Sequence, residues 1–151
     1  MNKKAEIFRI LDANFNRSKE GLRVIEDILR FSYLEFDKKN QKEENISSNI
    51  NNSIIKKIRF IRHSLSNIID SIYFEFLKNR DIKNDSGKIF NQTKYENINE
   101  ILISNFKRVE ESLRVIEELM RLISLKKSDA IKKLRFNIYE LEKKTFITII
   151  K

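Results

Sequence analysis

The chain contains no cysteine, no proline and no tryptophan, and its only glycines are Gly21 and Gly87. Without cysteine there can be no disulfide, thiolate metal site or cysteine nucleophile, and His63 is the sole histidine. Two isolated glycines cannot build the phosphate loops of P-loop or dinucleotide-binding folds, which need several close together. The missing proline and near-missing glycine also remove most helix breakers, so long helices are the default. No apolar run approaches the roughly 18 residues of a membrane span. The N-terminus reads as a polar amphipathic helix rather than a signal peptide, so a cytoplasmic location is expected.

What is present begins with length and charge. The 151 residues suit one compact domain with a substantial core. A formal net charge of +9 and a pI near 9.7 favour an anionic partner, either nucleic acid or a small phosphorylated ligand, unless the lysines only reflect a coding bias towards Lys, Asn and Ile. The helices carry no basic stripe on one face, which argues against nucleic acid.

The chain also repeats itself. The run from Asn14 to Phe31 returns 91 positions later as Asn105 to Leu122, with ten of eighteen residues identical. A second echo pairs Ile55–Phe60 with Ile131–Phe136 at a spacing of 76, so the first copy holds about 15 extra residues. Eight of the eleven arginines form repeat-matched pairs: Arg17/Arg108, Arg23/Arg114, Arg30/Arg121 and Arg59/Arg135. In a chain so rich in lysine, arginine at matching positions implies a need for the planar guanidinium fork.

Apolar spacing predicts a first helix over about 4–36, with Leu11, Phe15, Leu22, Ile25 and Leu29 on its inner face. The polar stretch 37–52 is the insertion and reads as a loop. Ser53 would cap a second helix over about 53–78, and residues 79–95 form a connector. Thr93 to Glu96 fits a capping box before a third helix over about 96–125. Ser128 would cap a fourth over about 129–149. The expected fold is an all-α helical bundle built from two copies of a helix–helix unit, repeat 1 over 4–78 and repeat 2 over 96–149.

Asn14 and Gly21 fall inside the first apolar stripe, with Arg17 on its rim. A buried amide must find partners or lose about 1–3 kcal/mol, and a mid-helix glycine implies a close approach to the backbone. The three outline a polar pocket, unless Asn14 caps or bridges a neighbour and Gly21 serves helix packing. Glu20 and Glu111 lie one turn from Arg17 and Arg108, where they would order the guanidiniums or hold a metal. The run of charges from Glu20 to Arg30, repeated from Glu111 to Arg121, also fits a ladder of intrahelical ion pairs. In the connector, Arg80 with Asp81 and Asp85 fits a phosphate contact and magnesium ligands; it equally fits a solvated loop with Asp81 as a turn residue. His63, one turn from Arg59, is either a core histidine or a site residue.

Taken together, these stretches resemble the small hydroxymethylpyrimidine-phosphate kinase family, the all-helical domain often fused ahead of thiamine-phosphate synthase. The resemblance is carried by Leu11–Arg17, Glu20–Asp27 and Arg30-Phe31, then Arg62-His63, Arg80-Asp81, Asp85 and Gly87. Asn105, Arg108, Glu111, Leu113-Arg114, Glu117-Glu118, Arg135, Tyr139 and Glu142 continue it. The chain departs from the pattern at Ser86, where the family has valine, and just before the third helix, where it lacks an arginine.

The resemblance implies a stand-alone kinase that transfers the ATP γ-phosphoryl group to hydroxymethylpyrimidine phosphate with Mg²⁺. Arg17 and Arg108, with Arg59 or Arg80, are then expected to clamp phosphates. Glu20, Glu111, Asp81 and Asp85 become the candidates for Mg²⁺. Asn14 and Asn105 would read the aminopyrimidine or ribose, with Gly21, His63, Arg135 and Tyr139 completing the binding set. A non-catalytic bundle that partners a separate thiamine-phosphate synthase is the rival expectation. Phe146, Ile147, Ile149 and Ile150 near the C-terminus point to a helix packed on a partner, which includes a homo-oligomer.

Overall fold

A computed structural model describes residues 3–33, 44–85 and 92–149, without the side chains of 33, 44–51 and 149. Every regular element is helical among them. Helix α1 spans Lys3–Ile28 and ends in a π-helical turn over Leu29–Tyr33. Helix α2 spans Glu44–Ile69, and after a 3₁₀ turn at Asp70–Ile72 the short α3 covers Tyr73–Asn79. Helices α4 (Ile98–Met120) and α5 (Leu125–Ile149) form the second unit. Helix α1 packs on α4 and α2 on α5, giving two antiparallel layers whose apolar faces meet in one core.

The all-α bundle matches the expectation, but several boundaries move. Residues 44–52, expected as loop, are helical, and Ser53 lies inside α2 rather than at its cap; residues 37–43 lie outside the described residues. The predicted second helix is not continuous, because the 3₁₀ turn redirects the chain so that α3 lies back across α1. Phe76 drives this bend. It is fully buried, with its ring 6.3 Å from Phe8 and 6.1 Å from Phe15, and burying such a ring contributes about 1.5–3 kcal/mol.

The cap before α4 is Asn97, four residues beyond the predicted start of the box. Its side chain accepts from the Glu100 N–H at 3.0 Å, while the Glu100 carboxylate accepts from the Glu96 N–H at 3.0 Å. Ser124, not Ser128, caps α5 by accepting from the Lys127 N–H at 3.3 Å. The buried Ser128 hydroxyl instead donates to the Glu117 carbonyl at 2.9 Å, tying α5 to α4. Near the C-terminus, Phe146 turns inward onto Phe106 at 6.0 Å and Ile147 stays half-exposed.

The duplication has a spatial meaning. The Ser18 and Ser112 hydroxyls are 2.7 Å apart where α1 crosses α4. One turn on in α1 and one turn back in α4, a Cβ on Gly21 would lie 2.7 Å from Val109 Cγ2. Under the 91-residue repeat Ser18 maps to Val109 and Ser112 to Gly21, so the second contact is the first with the halves exchanged. A pseudo-two-fold axis therefore passes through this antiparallel crossing. Gly21 allows the helices to approach; of the two roles open to it, the structure assigns packing.

A second matched contact fastens the layers together. The Glu26 carboxylate, 1 % exposed, accepts from Arg59 Nε at 2.6 Å, with Arg62 at 3.1 Å and Arg23 at 3.7 Å. Its repeat mate Glu117 accepts from Arg135 Nε at 2.8 Å and Arg114 at 3.0 Å. A buried carboxylate needs such pairing, and removing one partner leaves an uncompensated charge. Glu117 keeps one guanidinium, the half-exposed Arg114, without Arg135, whereas Glu26 keeps two, Arg62 and Arg23, without Arg59. We therefore expect Arg135→Met to cost about 2–4 kcal/mol and Arg59→Met less than about 1.5, read by urea denaturation. Gly21→Ala should destabilise by about 1–3 kcal/mol although alanine is the better helix former, because Val109 and the Asn105 carbonyl, 3.3 Å from the new Cβ, would have to move. A neutral or stabilising result in thermal melts would contradict that crowding.

Candidate functional site

The bend after α2 delivers the connector to α1. Arg80 follows directly on α3 and leaves it with extended backbone, φ −64° and ψ 124°. Its side chain crosses to α1 and grips Asp12, with Nε and Nη2 each 2.6 Å from a carboxylate oxygen. The pair is a bidentate fork of the kind that gives geometric specificity as well as energy. Asp12 is buried at 4 % exposure and also accepts from Asn16 at 3.1 Å. The hydrogen bond to Asp12 holds the Arg80 guanidinium even further above its usual pKa. Beyond it, both Asp81 oxygens accept from Asn84, at 3.2 Å from the backbone N–H and 2.7 Å from the side chain. These bonds hold the Asp81 carboxyl below its ordinary pKa.

Between this connector and α1 opens a cleft of about 660 Å³. Its charged lining comprises Glu6, Arg9, Asp12, Arg17, Arg80, Asp81 and Asp85, with Asn14 on the α1 wall. A second cleft of about 650 Å³ lies between α1 and α4, lined by Asn14, Arg17, Lys107, Arg108 and Glu111. Asn14 and Arg17 belong to both, so they form the wall between the two cavities. Arg17 is exposed and, among the described residues, donates only to Asn14 Oδ1, at 3.4 Å. Asn14 itself is buried and donates to the Ile10 carbonyl at 2.8 Å.

Lys107 reaches the second cleft from a different setting. Its ammonium donates to Glu110 at 3.0 Å and to Glu142 at 2.9 Å, and the bond to Glu142 raises its pKa. Burial pushes the Glu110 carboxyl up, and its Oε1 has no hydrogen-bond partner.

The residues singled out by sequence thus divide. Asn14, Arg17, Arg80, Asp81 and Asp85 meet at the connector cleft, and Asn14, Arg17, Arg108 and Glu111 at the α1–α4 cleft. Arg59 and Arg135 do not face either cleft; they serve the buried glutamates. Tyr139 accepts from Arg135 at 3.3 Å on α5, and His63 is exposed on α2, so neither is a core group nor a lining residue of these clefts. Gly21 and the buried Asn105, which donates to Ile101 at 2.8 Å, belong to the helix crossing. Glu20 is exposed and lines neither cleft. The four acids proposed for a metal do not come together, and no group of three ligating side chains gathers among the described residues. Ser86, Gly87 and Lys88 of the connector lie outside the described residues.

Sequence reasoning left Asp12, Glu26 and Glu117 without these roles. Glu26 and Glu117 were open to detection, since glutamates matched across the repeat accompany arginines matched across the repeat. Asp12 carried no such signal, because its partner lies 68 residues away on an element the repeat lacks.

The family model described as the ThiD2 family matches residues 9–144. The chain belongs to the ThiD2 family. Among its relatives are thiamine-phosphate synthases of Nostoc punctiforme, 32 % identical over 90 % of this chain and 34 % of theirs, and of Prochlorococcus marinus strain SARG, 32 % identical over 93 % and 36 %. The Synechocystis thiamine-phosphate synthase is 32 % identical over 90 % of this chain and 35 % of its own length. This ThiD2 chain therefore spans about a third of the length of the curated relatives it matches. No solved structure matches it significantly. No helix among the described residues is long and apolar enough to cross a membrane.

Arg80→Ala would leave Asp12 buried with Asn16 as its remaining partner. The expected outcome is a loss of about 1–3 kcal/mol, together with faster amide exchange over 80–85 than over α4. Uniform protection of both segments in the variant would show that the fork does not hold the connector.

Proposed function

We propose that this chain is a phosphotransferase of thiamine biosynthesis, moving the γ-phosphoryl group of ATP to hydroxymethylpyrimidine phosphate. The observation that carries the reading is the pair of adjoining clefts with Arg17 in their common wall. A kinase that joins two phosphorylated ligands needs two cavities that meet at one cationic point. Membership of the ThiD2 family and relatives named thiamine-phosphate synthase support the pathway.

The chemistry asks little covalent work of the protein. Phosphoryl transfer depends on positioning and on neutralising charge over the equatorial oxygens. The acceptor is a phosphate oxygen already ionised at neutral pH, so no strong general base is required. Its lone pair forms the new P–O bond as the bond from the γ-phosphorus to the bridging oxygen breaks, and the electron pair leaves with ADP. On this reading Arg17 forks onto the group in transit, and Arg108 binds the same oxygens from α4.

Mg²⁺ is implied by the reaction. The residues fit an ion that arrives on nucleotide oxygens and keeps most of its waters, not a cage made by the protein. Glu111 on one cleft and Asp81 or Asp85 on the other are the carboxylates that would complete its shell. When bound, such an ion would neutralise charge on the polyphosphate.

Incubation with ATP, Mg²⁺ and the phosphopyrimidine, read by mass, should yield ADP and a product one phosphoryl group heavier. Arg17→Ala should lower kcat by about 100-fold or more while retaining the wild-type melting curve. Arg30→Ala, whose guanidinium stacks on Phe31 at 4.8 Å, should leave turnover unchanged. Phosphopyrimidine binding without ADP formation in the wild-type protein would instead favour a non-catalytic ligand-binding bundle.

A further inference from the structure

Each cleft has its own balance of charge and partners, and that balance distinguishes the two. The connector cleft is lined by four carboxylates, Glu6, Asp12, Asp81 and Asp85. Two of its three arginines are already engaged, Arg80 by Asp12 at 2.6 Å and Arg9 by Asp81 at 3.7 Å. The α1–α4 cleft is lined by Arg17, Lys107 and Arg108 against the single carboxylate Glu111. Lys107 is held by Glu110 and Glu142. Arg108 has no hydrogen bond or ion pair among the described residues, and Arg17 has only its 3.4 Å contact with a neutral amide. Of the four arginines that line the two clefts, Arg17 and Arg108 are without a carboxylate partner among the described residues, and both line the α1–α4 cavity.

These two are repeat mates brought together by the antiparallel crossing. An anion between them gains two forks without first breaking an ion pair. Ile103 and Val115, 43 % and 36 % exposed, give the same cleft an apolar wall against which a purine ring can pack. The connector cleft offers the opposite chemistry. Its four carboxylates disfavour a triphosphate, and a carboxylate that already accepts from Arg80 or Asn84 keeps lone pairs for an amine and a hydroxyl, the groups that decorate an aminopyrimidine.

Resting on the kinase reading above, we infer that the α1–α4 cleft takes the nucleoside triphosphate and the connector cleft takes the phosphorylated aminopyrimidine. The two phosphate chains then meet at Arg17. The first repeat supplies most of the acceptor site because only it is followed by the connector, while Arg108 of the second repeat belongs to the nucleotide.

Titration calorimetry with a non-hydrolysable ATP analogue, and separately with the phosphopyrimidine, tests the assignment. Arg108→Ala should weaken the analogue about 10- to 100-fold and change phosphopyrimidine affinity less than about twofold. Ser104→Phe, which fills the α1–α4 cleft, should abolish analogue binding alone; Ala13→Phe, which fills the connector cleft, should abolish phosphopyrimidine binding alone. Far-UV circular dichroism checks that each variant is folded; Arg108→Lys stands in for Arg108→Ala if that variant is not, and Ser104→Leu and Ala13→Leu stand in for the two phenylalanine variants. The reverse pattern in a protein that still turns over would overturn the assignment and leave phosphotransfer intact. Wild-type protein that binds neither ligand would overturn both.

Discussion

The close crossing of α1 and α4 is the constraint on which the rest of the molecule depends. It exists because Gly21 offers no side chain where Val109 must sit, and because the buried Ser18 and Ser112 hydroxyls satisfy each other. The apolar rows on either side, Leu11, Phe15, Leu22 and Ile25 against Leu102, Phe106, Val109 and Leu113, can then interlock. Setting that distance also sets where the rims of the two helices lie. Arg17 and Arg108 belong to those rims, so the geometry of the cleft follows from the packing beneath it.

The buried glutamates serve a related purpose at the other interfaces. Glu26 fixes α1 against α2 and Glu117 fixes α4 against α5, each through an arginine from the paired helix. Ion pairs of this kind are weak sources of stability against apolar replacements, yet they resist sliding because only one register satisfies them. A helix pair packed by leucine and isoleucine alone could shift by a turn at small cost. The glutamate–arginine pair excludes that shift and so keeps the α1 and α4 faces aligned.

Much of this was legible in the sequence, and the rest was hidden for identifiable reasons. The all-α class follows from the lack of breakers and from apolar residues at helical spacing. Arginine at matched positions pointed to a need for the planar guanidinium fork, but Arg59 and Arg135 each reach a buried carboxylate of the protein itself through Nε alone, and the two-pronged grip is made by Arg80, which has no repeat mate. The intrahelical ladder is real for Arg114, Glu118 and Arg121, and Glu26 and Glu117 keep their rungs to Arg23 and Arg114 while burying their carboxylates against the arginine of another helix. Cap positions failed where tertiary contacts intervened. Ser128 has the right residue type for a cap, but its hydroxyl is claimed by the Glu117 carbonyl of another helix. The bend at Asp70–Ile72 was invisible for a similar reason, since Phe76 looks like one more apolar residue until the aromatic pocket of α1 is in place. Of the site, Asn14, Arg17, Arg80 and Arg108 were identifiable by type and repetition. Their sorting into two cavities required the connector's path, which no local pattern encodes.

The crossing has one further consequence, for how the halves can assemble. Two first halves paired about the same axis would set Ser18 opposite Gly21 at both contacts, leaving a gap where Val109 now packs. Two second halves would set Ser112 opposite Val109 twice, forcing a side chain into the space that Gly21 keeps clear. Neither half is complementary to itself, and each is complementary to the other. Divergence at these few positions has turned an exchangeable pair into a lock and its single key, so that the tandem chain closes on itself and the asymmetry needed to tell two ligands apart is built in from the centre outward.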